Sequence, residues 1–578
     1  MLAGAVSFSD RDHGALAQRL ARGATFPGQR SRPLAAGSGL WLHAVGAADA
    51  DEGPVTHEAG ELASFLFADA CRVPAWRKRI DPSTLANGAS LDVPQRWLGL
   101  RWDRALRRLS ITTDRLGLLW LYWARIPAGL AFSSDFGSLA RELAGGLTVE
   151  RDTALLELAY GYTPDDRTVF NQIRIVPPGT TLELDASGIT AVGRRSPSYT
   201  DRSASLTQAE KFDRLDALYA PIANRTAENG AALTMSLSAG FDSRYALAFL
   251  QSRRPRIACC TFGNPDSDEV RGAARVAATA GMATEVFDIP DGDWAQWTRD
   301  IQALGNAGMT QWSGWAESWL AFVRERGSLP VIGFLGDALT GKHLGENADT
   351  ADWIGFWQWW STRDGWATCD LLSAEARERI ARVGRERLEA TVATLAFAFP
   401  HQAAMHLDLY GRQRRWVASQ PNLGARFGTP MQFFYDEALI DFWTSVPFDD
   451  LLAQRLYLAY ASDRFPSLFA APRAKRPWPG RRIVAKALRV AMGRDRERPI
   501  VVDLRRSIAP NRARIVALAR RTRPLLHDVL DIDRFCAQVE QFGRGPTIPG
   551  TLMARAVNLM LLLDLCVDGR DSDATAQR

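Results

Sequence analysis

Cysteine is scarce in this chain, and the cysteines present lack the spacing that metal sites need. The six cysteines among 578 residues form no C-x-x-C pair of the kind that structural zinc sites use. The adjacent pair Cys259-Cys260 lies in a short apolar run, where a small buried side chain is the expected role. So few cysteines are typical of a reducing compartment, and we therefore expect a cytoplasmic protein.

Long apolar runs and a strong charge of one sign are also missing. The longest apolar run near the C-terminus, residues 559–565, is far shorter than the roughly 20 residues of a membrane-spanning helix. The first residues show no basic segment followed by a long apolar one, so we expect no signal peptide. The net charge of +5 is small for this length and indicates no nucleic-acid partner. A basic stretch at 481–523 is typical of a solvated face, or else of a surface that docks an acidic partner.

The remaining composition is that of a globular protein with more than one domain. The chain is 46% hydrophobic and 23% charged, and its length exceeds that of a single core. Residues 1–205 contain short alternating runs separated by Gly, Pro and Asp, which predict a β-rich sandwich. After a polar segment at 200–206, strand and helix patterns alternate. We therefore predict an α/β protein with a second domain at 206–578, built on a doubly wound parallel sheet with extra helices.

The stretch from residue 233 to residue 250 carries the clearest chemical signal. Residues 233–237 alternate as in a strand, and residues 245–250 are apolar enough for a buried helix. Between them lies the small polar turn Ser238-Ala-Gly-Phe-Asp-Ser243. Strand, small-residue turn and helix together place backbone N–H groups and a helix N-terminus around an anion. The alternative is an ordinary turn with a serine cap.

This turn resembles the Ser-Gly-Gly-x-Asp-Ser pyrophosphate loop of the ATP-pyrophosphatase family, with Ala239 in place of the first glycine. Members of that family cut ATP between the α- and β-phosphates and adenylylate an oxygen of the substrate. A Gly-Lys-Ser/Thr phosphate loop is absent from the sequence, so the resemblance implies AMP and pyrophosphate as products, and ATP and Mg²⁺ as cofactors.

A second motif, Pro330-Val-Ile-Gly-Phe-Leu-Gly-Asp-Ala-Leu-Thr-Gly341, fits a strand followed by a Gly-rich turn. It resembles the family's Ser-Gly-Glu-Gly-x-Asp-Glu-Leu-x-Gly-Gly segment, which makes Asp337 the second magnesium ligand beside Asp242. Two carboxylates from separate loops suit Mg²⁺, which also takes oxygens from phosphates. In a parallel sheet these turns should meet at one edge. The nucleotide-binding residues that we predict are Leu237, Ser238, Ala239, Gly240, Phe241, Asp242, Ser243, Phe262, Gly263 and Gly333.

The amino-terminal region resembles the glutamine-amidotransferase domain of asparagine synthetases through its Asp114-Arg-Leu-Gly and Pro177-Pro-Gly turns. The resemblance implies an Ntn-type sandwich at 1–205. In that family a terminal cysteine releases ammonia from glutamine, whereas Leu2 or Ala3 stands here. A leucine has no lone pair with which to attack an amide, and the family's Asn-Gly-Glu motif is missing, with residues 68–70 the nearest counterpart. We therefore expect a scaffold without glutaminase chemistry, and an amine that the substrate itself carries.

Two further positions bear on the chemistry. Phe334 stands where asparagine synthetases have a glutamate and β-lactam-forming relatives a tyrosine, and a phenyl ring cannot move a proton. The base must then come from elsewhere in the protein, from solvent or from the substrate's own carboxylate. Arg473 and Lys475 match the family's Arg-x-Lys, whose lysine reaches the phosphates and stabilises the transition state. The alternative for Lys475 is a solvated side chain among prolines.

Tryptophan is concentrated between residues 294 and 366, which hold ten of the nineteen in the chain. Two groups recur at helical spacing, namely Trp312, Trp315 and Trp319, and Trp353, Trp357 and Trp360. They predict helix faces that pack into the core. The alternative is an aromatic wall for a bulky substrate.

Together the motifs from 114 to 475 resemble the asparagine synthetase family, and most closely its lasso-peptide cyclases, the macrolactam synthetases. These activate a side-chain carboxylate of a precursor peptide as an acyl adenylate, which the peptide's own α-amine attacks. The implied partners are the precursor peptide, a leader-binding protein and a leader peptidase. The alternatives are ring closure on a small amino acid, as in β-lactam synthetases, asparagine-synthetase-like amide formation, and a non-catalytic scaffold that binds nucleotide.

Overall fold

The computed structural model describes most of the chain. The described residues are 1–27, 29–47, 53–69, 74–78, 80, 95–194, 197–227, 232–253, 256–263, 265, 267–287, 293–309, 314–362, 369–424, 430–470, 504–544 and 547–576. Arg473 and Lys475 lie outside these ranges, as does Cys71.

Strands and helices follow one another along the whole described chain. The strands are β1 Leu2–Ser7, β2 Gln29–Gly37, β3 Leu40–Ala47, β4 Val55–Ala59, β5 Leu62–Ala68, β6 Trp97–Asp103, β7 Arg108–Thr113, β8 Tyr122–Ile126, β9 Gly129–Ser133, β10 Arg174–Ile175, β11 Thr180–Leu184, β12 Ile189–Arg194, β13 Ala232–Ser236, β14 Ile257–Phe262, β15 Thr284–Phe287, β16 Ser328–Ile332 and β17 Met431–Gln432. The helices are α1 Gly14–Gly23, α2 Pro74–Arg77, α3 Phe136–Glu142, α4 Arg151–Tyr160, α5 Gln208–Ala227, α6 Phe241–Gln251, α7 Asp268–Thr279, α8 Trp294–Leu304, α9 Gly314–Glu325, α10 Gly336–Leu339, α11 Trp353–Thr362, α12 Ala374–Val392, α13 Pro400–His406, α14 Ser419–Gly424, α15 Glu437–Thr444, α16 Phe448–Leu451, α17 Arg455–Arg464, α18 Pro466–Ala470, α19 Leu504–Ile508, α20 Arg512–Leu526, α21 Ile532–Gln541 and α22 Gly550–Ala576. A π-helical segment spans Leu407–Val417, and 3₁₀ turns span Ala144–Gly146, Glu346–Asp349, Leu452–Gln454 and Ala509–Asn511.

The strands before residue 195 form two antiparallel sheets, with the orders β10-β8-β9-β1-β3-β2 and β12-β11-β7-β6-β5-β4. Alternate residues of a strand point to the same face. Leu98, Leu100 and Trp102 of β6 accordingly join one buried cluster, to which β1 contributes Leu2 and Val6. Because this cluster takes side chains from both sheets, the sheets pack face to face. The predicted β-rich sandwich is confirmed.

The later strands form a parallel sheet with the order β15-β14-β13-β16-β17, in which neighbouring strands pair in parallel. From β13 the chain moves to one side through β14 and β15, and then crosses to the other side for β16. The direction therefore reverses between β13 and β16. Ligands of doubly wound sheets bind at such a reversal, beyond the carboxyl ends of the strands. The predicted parallel sheet is confirmed, and it places the turns after β13 and β16 side by side.

The final helix, α22, is a longer apolar element than the run at 559–565 indicated. Its 18-residue window Gly550–Val567 has a mean hydropathy of 1.6, which is long and apolar enough to cross a membrane. In this fold 83% of that window is buried inside the protein. Helix α20 packs against it, with Arg521 paired to Asp564 at 2.6 Å. The helix therefore has the burial of a core element.

The antiparallel and parallel regions pack against each other. Tyr122 of β8 donates a hydrogen bond to the Leu304 carbonyl at 2.6 Å, and Trp120 donates to the Arg414 carbonyl at 3.0 Å. One hydrophobic cluster runs through both regions, from Ala3 to Cys566. Residues 200–206 form the predicted turn-rich connection. The boundary between 205 and 206 stays a prediction.

Candidate active site

The turn between β13 and α6 is held together by its own serine hydroxyls. The Ser238 N–H donates to Ser243 Oγ at 3.0 Å, and the two hydroxyl oxygens lie 3.1 Å apart. The Gly240 N–H donates to Ser238 Oγ at 3.1 Å. Helix α6 begins directly after Gly240 without a side-chain cap. The start of the helix therefore lies in a rigid turn of small residues.

One backbone N–H of this turn already binds a carboxylate. The Ala239 N–H donates to Glu269 Oε1 at 2.7 Å. Glu269 lies in the first turn of α7, which Ser267 caps by accepting from the Val270 N–H at 3.2 Å. This is a charge-assisted hydrogen bond within the chain, and the binding of a phosphate by the turn stays a prediction. No local sequence pattern pointed to Glu269, because 30 residues separate it from its partner.

The structure brings Asp242 and Asp337 together at the edge of the parallel sheet. The Asp337 N–H donates to Asp242 Oδ2 at 2.7 Å, and Lys342 Nζ pairs with the Asp337 carboxylate. A Cβ on Gly333 would lie 2.8 Å from the Ser243 nitrogen, so the two turns are in close contact. Leu335 has φ +76°, a strained value for a branched side chain. The family motif has a glycine at this position, which has no such strain.

Burial and charge make this carboxylate pair unusual. Burial is the largest cause that raises the pKa of Asp242, and nearby Asp337 raises it further. Lys342, the Asp337 N–H and the Tyr457 hydroxyl, which donates to Asp242 Oδ1 at 3.1 Å, act in the opposite direction. A divalent cation between two such carboxylates would favour their charged forms.

The donor set also fits Mg²⁺ in particular. No group of three or more His, Cys, Asp or Glu side chains that could hold a metal occurs among the described residues. A cation at Asp242 and Asp337 would thus need oxygens from water or phosphate as well. Mg²⁺ in phosphate-transfer sites is held in this way, by one or two carboxylates plus substrate phosphates. The metal-binding role of these two residues stays a prediction.

Gly336→Ala tests the close approach of the two turns. A Cβ at Gly336 would lie 2.4 Å from the Asp242 carboxyl carbon, so the added methyl group must displace that carboxylate. We expect a loss of about 1–3 kcal/mol in the free energy of unfolding, as for other overpacked sites, together with lower pyrophosphate release from ATP. Denaturant unfolding and a pyrophosphate assay measure the two effects. Gly188→Ala is the matched control, because a Cβ there meets no atom within 4 Å, and an equal effect of both variants would contradict the prediction.

The other predicted nucleotide-binding residues lie at the same sheet edge. Leu237 follows β13 and donates its N–H to the Cys260 carbonyl at 2.7 Å. Phe262 ends β14, with its ring 5.8 Å from that of Phe287. Gly263 follows with φ +116° and donates to the Phe287 carbonyl at 2.9 Å. These residues surround the Ser238–Ser243 turn on the β14 side, while contact with nucleotide stays a prediction.

The buried cysteines have no chemical role at this edge. Burial raises the pKa of Cys259 and of Cys260 to about 12, so both stay thiols at neutral pH. They act as small hydrophobic side chains of β14, as the sequence predicted.

The last described residues before Arg473 and Lys475, in α18, lie close to the Ser238–Ser243 turn. The Phe469 ring in α18 stacks on Phe241 at 5.7 Å. The Leu468 carbonyl accepts from Arg244 of α6 at 3.3 Å. Lys475 follows the last residue of α18 by five positions, and its role stays a prediction.

The first positions of the amino-terminal strand, Leu2 and Ala3, carry no nucleophilic group. The Met1 amino group donates to the Val45 carbonyl at 2.9 Å, and Leu2 is 2% exposed. Asp69, in the segment nearest to the missing Asn-Gly-Glu motif, is paired with buried Arg96 at 2.7 Å. The start of β1 is therefore packed and apolar, and the carboxylate of Asp69, which follows β5, is already paired with Arg96.

We expect no glutamine hydrolysis by the purified protein, and no stimulation of turnover by ammonia, because neither Leu2 nor Ala3 carries a thiol or hydroxyl group. Glutamate release from glutamine, measured with a coupled dehydrogenase, checks this. Measurable glutaminase activity would show that another residue supplies the nucleophile.

The two amino-terminal turn motifs contact each other and the parallel-sheet region. The Gly179 N–H donates to the Asp114 carbonyl at 2.9 Å, and a Cβ on Gly117, which has φ +58°, would lie 2.8 Å from the Pro178 Cα. The buried Asp114 carboxylate accepts from the Tyr435 hydroxyl. Burial is the largest influence on Asp114 and raises its pKa. These motifs thus have a structural role, which joins the sandwich to the segment after β17.

The tryptophans mostly fill the core. Trp319, Trp357 and Trp360 are buried, as the helical spacing predicted, whereas Trp353 of the same predicted group is half-buried. Trp359 instead is 64% exposed, because it lies on the opposite face of α11. The side chains of Trp312 and Trp315 are outside the described set.

Comparison with known proteins identifies one region of the chain. The family of glutamine amidotransferase domains matches residues 98–196. No curated protein matches the chain. Among solved structures, glutamine phosphoribosylpyrophosphate amidotransferase from B. subtilis, complexed with ADP and GMP, is similar at 12% identity over 43% of this chain, with a TM-score of 0.17. The match covers 51% of that protein, so the chain spans about half its length. The family match therefore spans the sandwich strands from β6 to β12 and supports an amidotransferase-like amino-terminal domain.

Proposed function

We propose that this protein is an ATP-dependent amide synthetase that forms AMP and pyrophosphate. The observation that carries the proposal is the contact between Asp242 and Asp337, at the reversal point of the parallel sheet. Beside them, the Ser238–Ser243 turn leads into the N-terminus of α6, and one N–H of the turn donates to the Glu269 carboxylate. An anion-binding turn next to two carboxylates fits a polyphosphate with its metal ion.

Each residue of the site has a place in this reaction. Asp242 and Asp337 would hold Mg²⁺, which neutralises charge on the phosphates of bound ATP. The N-terminus of α6, which begins directly after Gly240, would face the departing pyrophosphate, and the hydroxyl groups of Ser238 and Ser243 would add donors. Lys342 contacts Asp337, while Lys475, with Arg473 beside it, would stabilise negative charge in the transition state.

The substrate that we propose is a precursor peptide whose side-chain carboxylate is adenylylated and then attacked by the peptide's own N-terminal amine. Leu2 or Ala3 in place of the nucleophilic cysteine of the glutamine-dependent relatives supports this, because the nitrogen must then come with the substrate. The partners would be a leader-binding protein and a leader peptidase of the same pathway. Ring closure on a small amino acid, or asparagine-like amide formation, uses the same first step and is the runner-up.

The proposal can be tested with the purified protein, Mg·ATP and a candidate precursor peptide from which the leader has been removed. We expect a peptide product that is lighter by one water, together with AMP and pyrophosphate, by mass spectrometry and nucleotide chromatography. ADP with phosphate as products would contradict the proposal. Pyrophosphate release with small amino acids, but with no peptide, would favour the runner-up.

One observation favours a second candidate, a non-catalytic scaffold that binds nucleotide. The Ala239 N–H is paired with Glu269, and Asp337 is paired with Lys342, so groups that the reaction would use already have partners within the chain. Nucleotide binding by calorimetry, without pyrophosphate release for any peptide or amino acid, would support the scaffold over the synthetase.

A further inference from the structure

A histidine–aspartate pair lies directly after the Asp337 turn. His343 Nδ1 is 2.7 Å from Asp408 Oδ2, and the side chains are 17% and 3% exposed. The other oxygen of Asp408 accepts from Gln413 Nε2 at 3.1 Å. A carboxylate at Nδ1 holds the proton on that nitrogen and leaves the lone pair on Nε2. His343 Nε2 has no hydrogen-bond partner among the residues that the structure describes.

This pair is connected to the carboxylate site by a single tight turn. The Lys342 N–H donates to the Asp337 carbonyl at 3.1 Å, and the Leu344 N–H donates to the Gly341 carbonyl at 3.1 Å. Lys342, which precedes His343, contacts Asp337 with its side chain. The imidazole and the proposed metal ligand therefore belong to the same short segment after β16.

The surroundings of His343 are aromatic and cationic. The Trp360 ring lies 5.0 Å from the imidazole, and the Arg412 guanidinium lies 4.9 Å from Trp360 and 4.8 Å from Trp416. Within the described ranges, Arg412 Nε and Nη1 are buried without a hydrogen-bond acceptor, although Asp408 lies 3.6 Å from Nη1. An acceptor-poor guanidinium over aromatic rings is suited to a carboxylate or carbonyl group of a substrate.

The charged groups around the imidazole keep Asp408 ionised. Burial raises the pKa of Asp408, but His343 and Arg412 outweigh this and hold the pKa below its usual value. Asp408 and Arg412 both lie on the π-helical segment that packs against His343, and Lys342 directly precedes His343 in the chain. The Tyr162 hydroxyl lies close to Asp408 and Arg412. Asp408 is therefore a carboxylate at neutral pH and can stabilise an imidazolium.

We propose that His343 is the general base of the amide-forming step, with Asp408 as its positioning residue. This role of His343 rests on the proposed function. It supplies a proton acceptor, which the phenyl ring of Phe334 cannot provide. The amine nitrogen bonds to the acyl carbon, the bond from that carbon to the phosphate oxygen breaks, and AMP leaves with the electron pair. The proton from the nitrogen passes to His343 Nε2 and then to water, so the step is balanced.

His343→Ala in the full-length protein tests the base, with the same peptide and Mg·ATP. We expect ring closure to fall on the order of 100-fold, the usual scale for a lost general base. Formation of the acyl adenylate, trapped as the hydroxamate by added hydroxylamine, should stay at the wild-type rate. Imidazole in the buffer should restore ring closure in His343→Ala but not in His343→Gln, whose side chain fills the space. The exposed His527 provides the control variant His527→Ala.

Asp408→Asn tests the positioning role. Without the carboxylate at Nδ1 the imidazole is no longer held with its lone pair on Nε2, so ring closure should fall by up to about 100-fold, the effect of losing the base itself, while formation of the acyl adenylate stays at the wild-type rate. Asp408→Glu, which keeps a carboxylate, should restore part of the rate of ring closure. If Asp408→Asn slows hydroxamate formation and ring closure equally, the role of Asp408 is merely structural.

Two outcomes separate this proposal from the proposed function. If the wild type closes the ring and His343→Ala does so equally fast, the base lies elsewhere, while the synthetase function stands. If the wild type forms no hydroxamate and no pyrophosphate, the synthetase function fails and the role of His343 fails with it.

Discussion

Asp242→Asn is expected to lower pyrophosphate release on the order of 100-fold or more, the scale at which electrostatic stabilisers act. The amide keeps the size of the side chain and can still accept from the Asp337 N–H. It removes, however, the charge that would face Mg²⁺ and the triphosphate. Asp337→Asn should have the same effect, because it removes the second carboxylate of the pair.

The stability of these variants should be close to that of the wild type. Burial and Asp337 already raise the pKa of Asp242, which means that its charged form is disfavoured in the fold. A neutral amide therefore removes an unfavourable buried charge. Thermal unfolding and pyrophosphate release, each with and without Mg²⁺, give the two measurements. Asp213→Asn is the control, since that side chain is exposed on α5. Wild-type pyrophosphate release from both variants would remove the pair from the site.

Lys475→Met is expected to abolish product formation while ATP binding stays nearly normal. After adenylylation, charge builds on the acyl oxygen and the phosphate as the amide forms. An ammonium group there stabilises that charge more than it stabilises bound ATP, so its effect is on rate. Lys475→Arg should fail as well, because a planar guanidinium does not replace a compact ammonium group. Acyl adenylate or its hydrolysis product should accumulate in both variants.

Mass spectrometry of the peptide and calorimetry of ATP binding check this prediction. Lys342→Met is the informative companion, because Lys342 is the lysine that contacts Asp337 in the described structure. If Lys475→Met still cyclises at the wild-type rate and Lys342→Met does not, the catalytic cation is Lys342. The match of Arg473 and Lys475 to the family motif would then be wrong.

The elements next to the site could be predicted because their signals are local. The alternation before Ser238 and the apolar run after Ser243 correspond to β13 and α6. The motif around Asp337 corresponds to the end of β16 and the turn into α10. Periodicity and small-residue turns depend on neighbouring residues alone. The convergence of Asp242 and Asp337 also followed, since parallel strands bring their carboxyl ends to one edge.

Other contacts join residues that are far apart in the chain, and no local sequence pattern predicts them. Glu269 reaches Ala239 across 30 positions, and Tyr435 reaches Asp114 across 321. In isolation each of these residues is an ordinary helix or turn residue. Their partners are decided by how helices pack on the sheet, because burial of a polar group is tolerated only where a partner is supplied.

The same division holds for the chemistry. The sequence alone predicts a nucleotide site, because a turn of small residues that contains Asp242 follows β13 and a second acidic residue, Asp337, follows β16. The absence of cysteine at positions 2 and 3 is likewise enough to predict the loss of glutaminase chemistry. The pairing of His343 with Asp408, 65 positions apart, exists only because the π-helical segment packs against the Asp337 turn. Local sequence therefore specified the strand, the Ser238–Ser243 turn and the helix after it, whereas only tertiary packing decided which carboxylate lies beside the imidazole of His343.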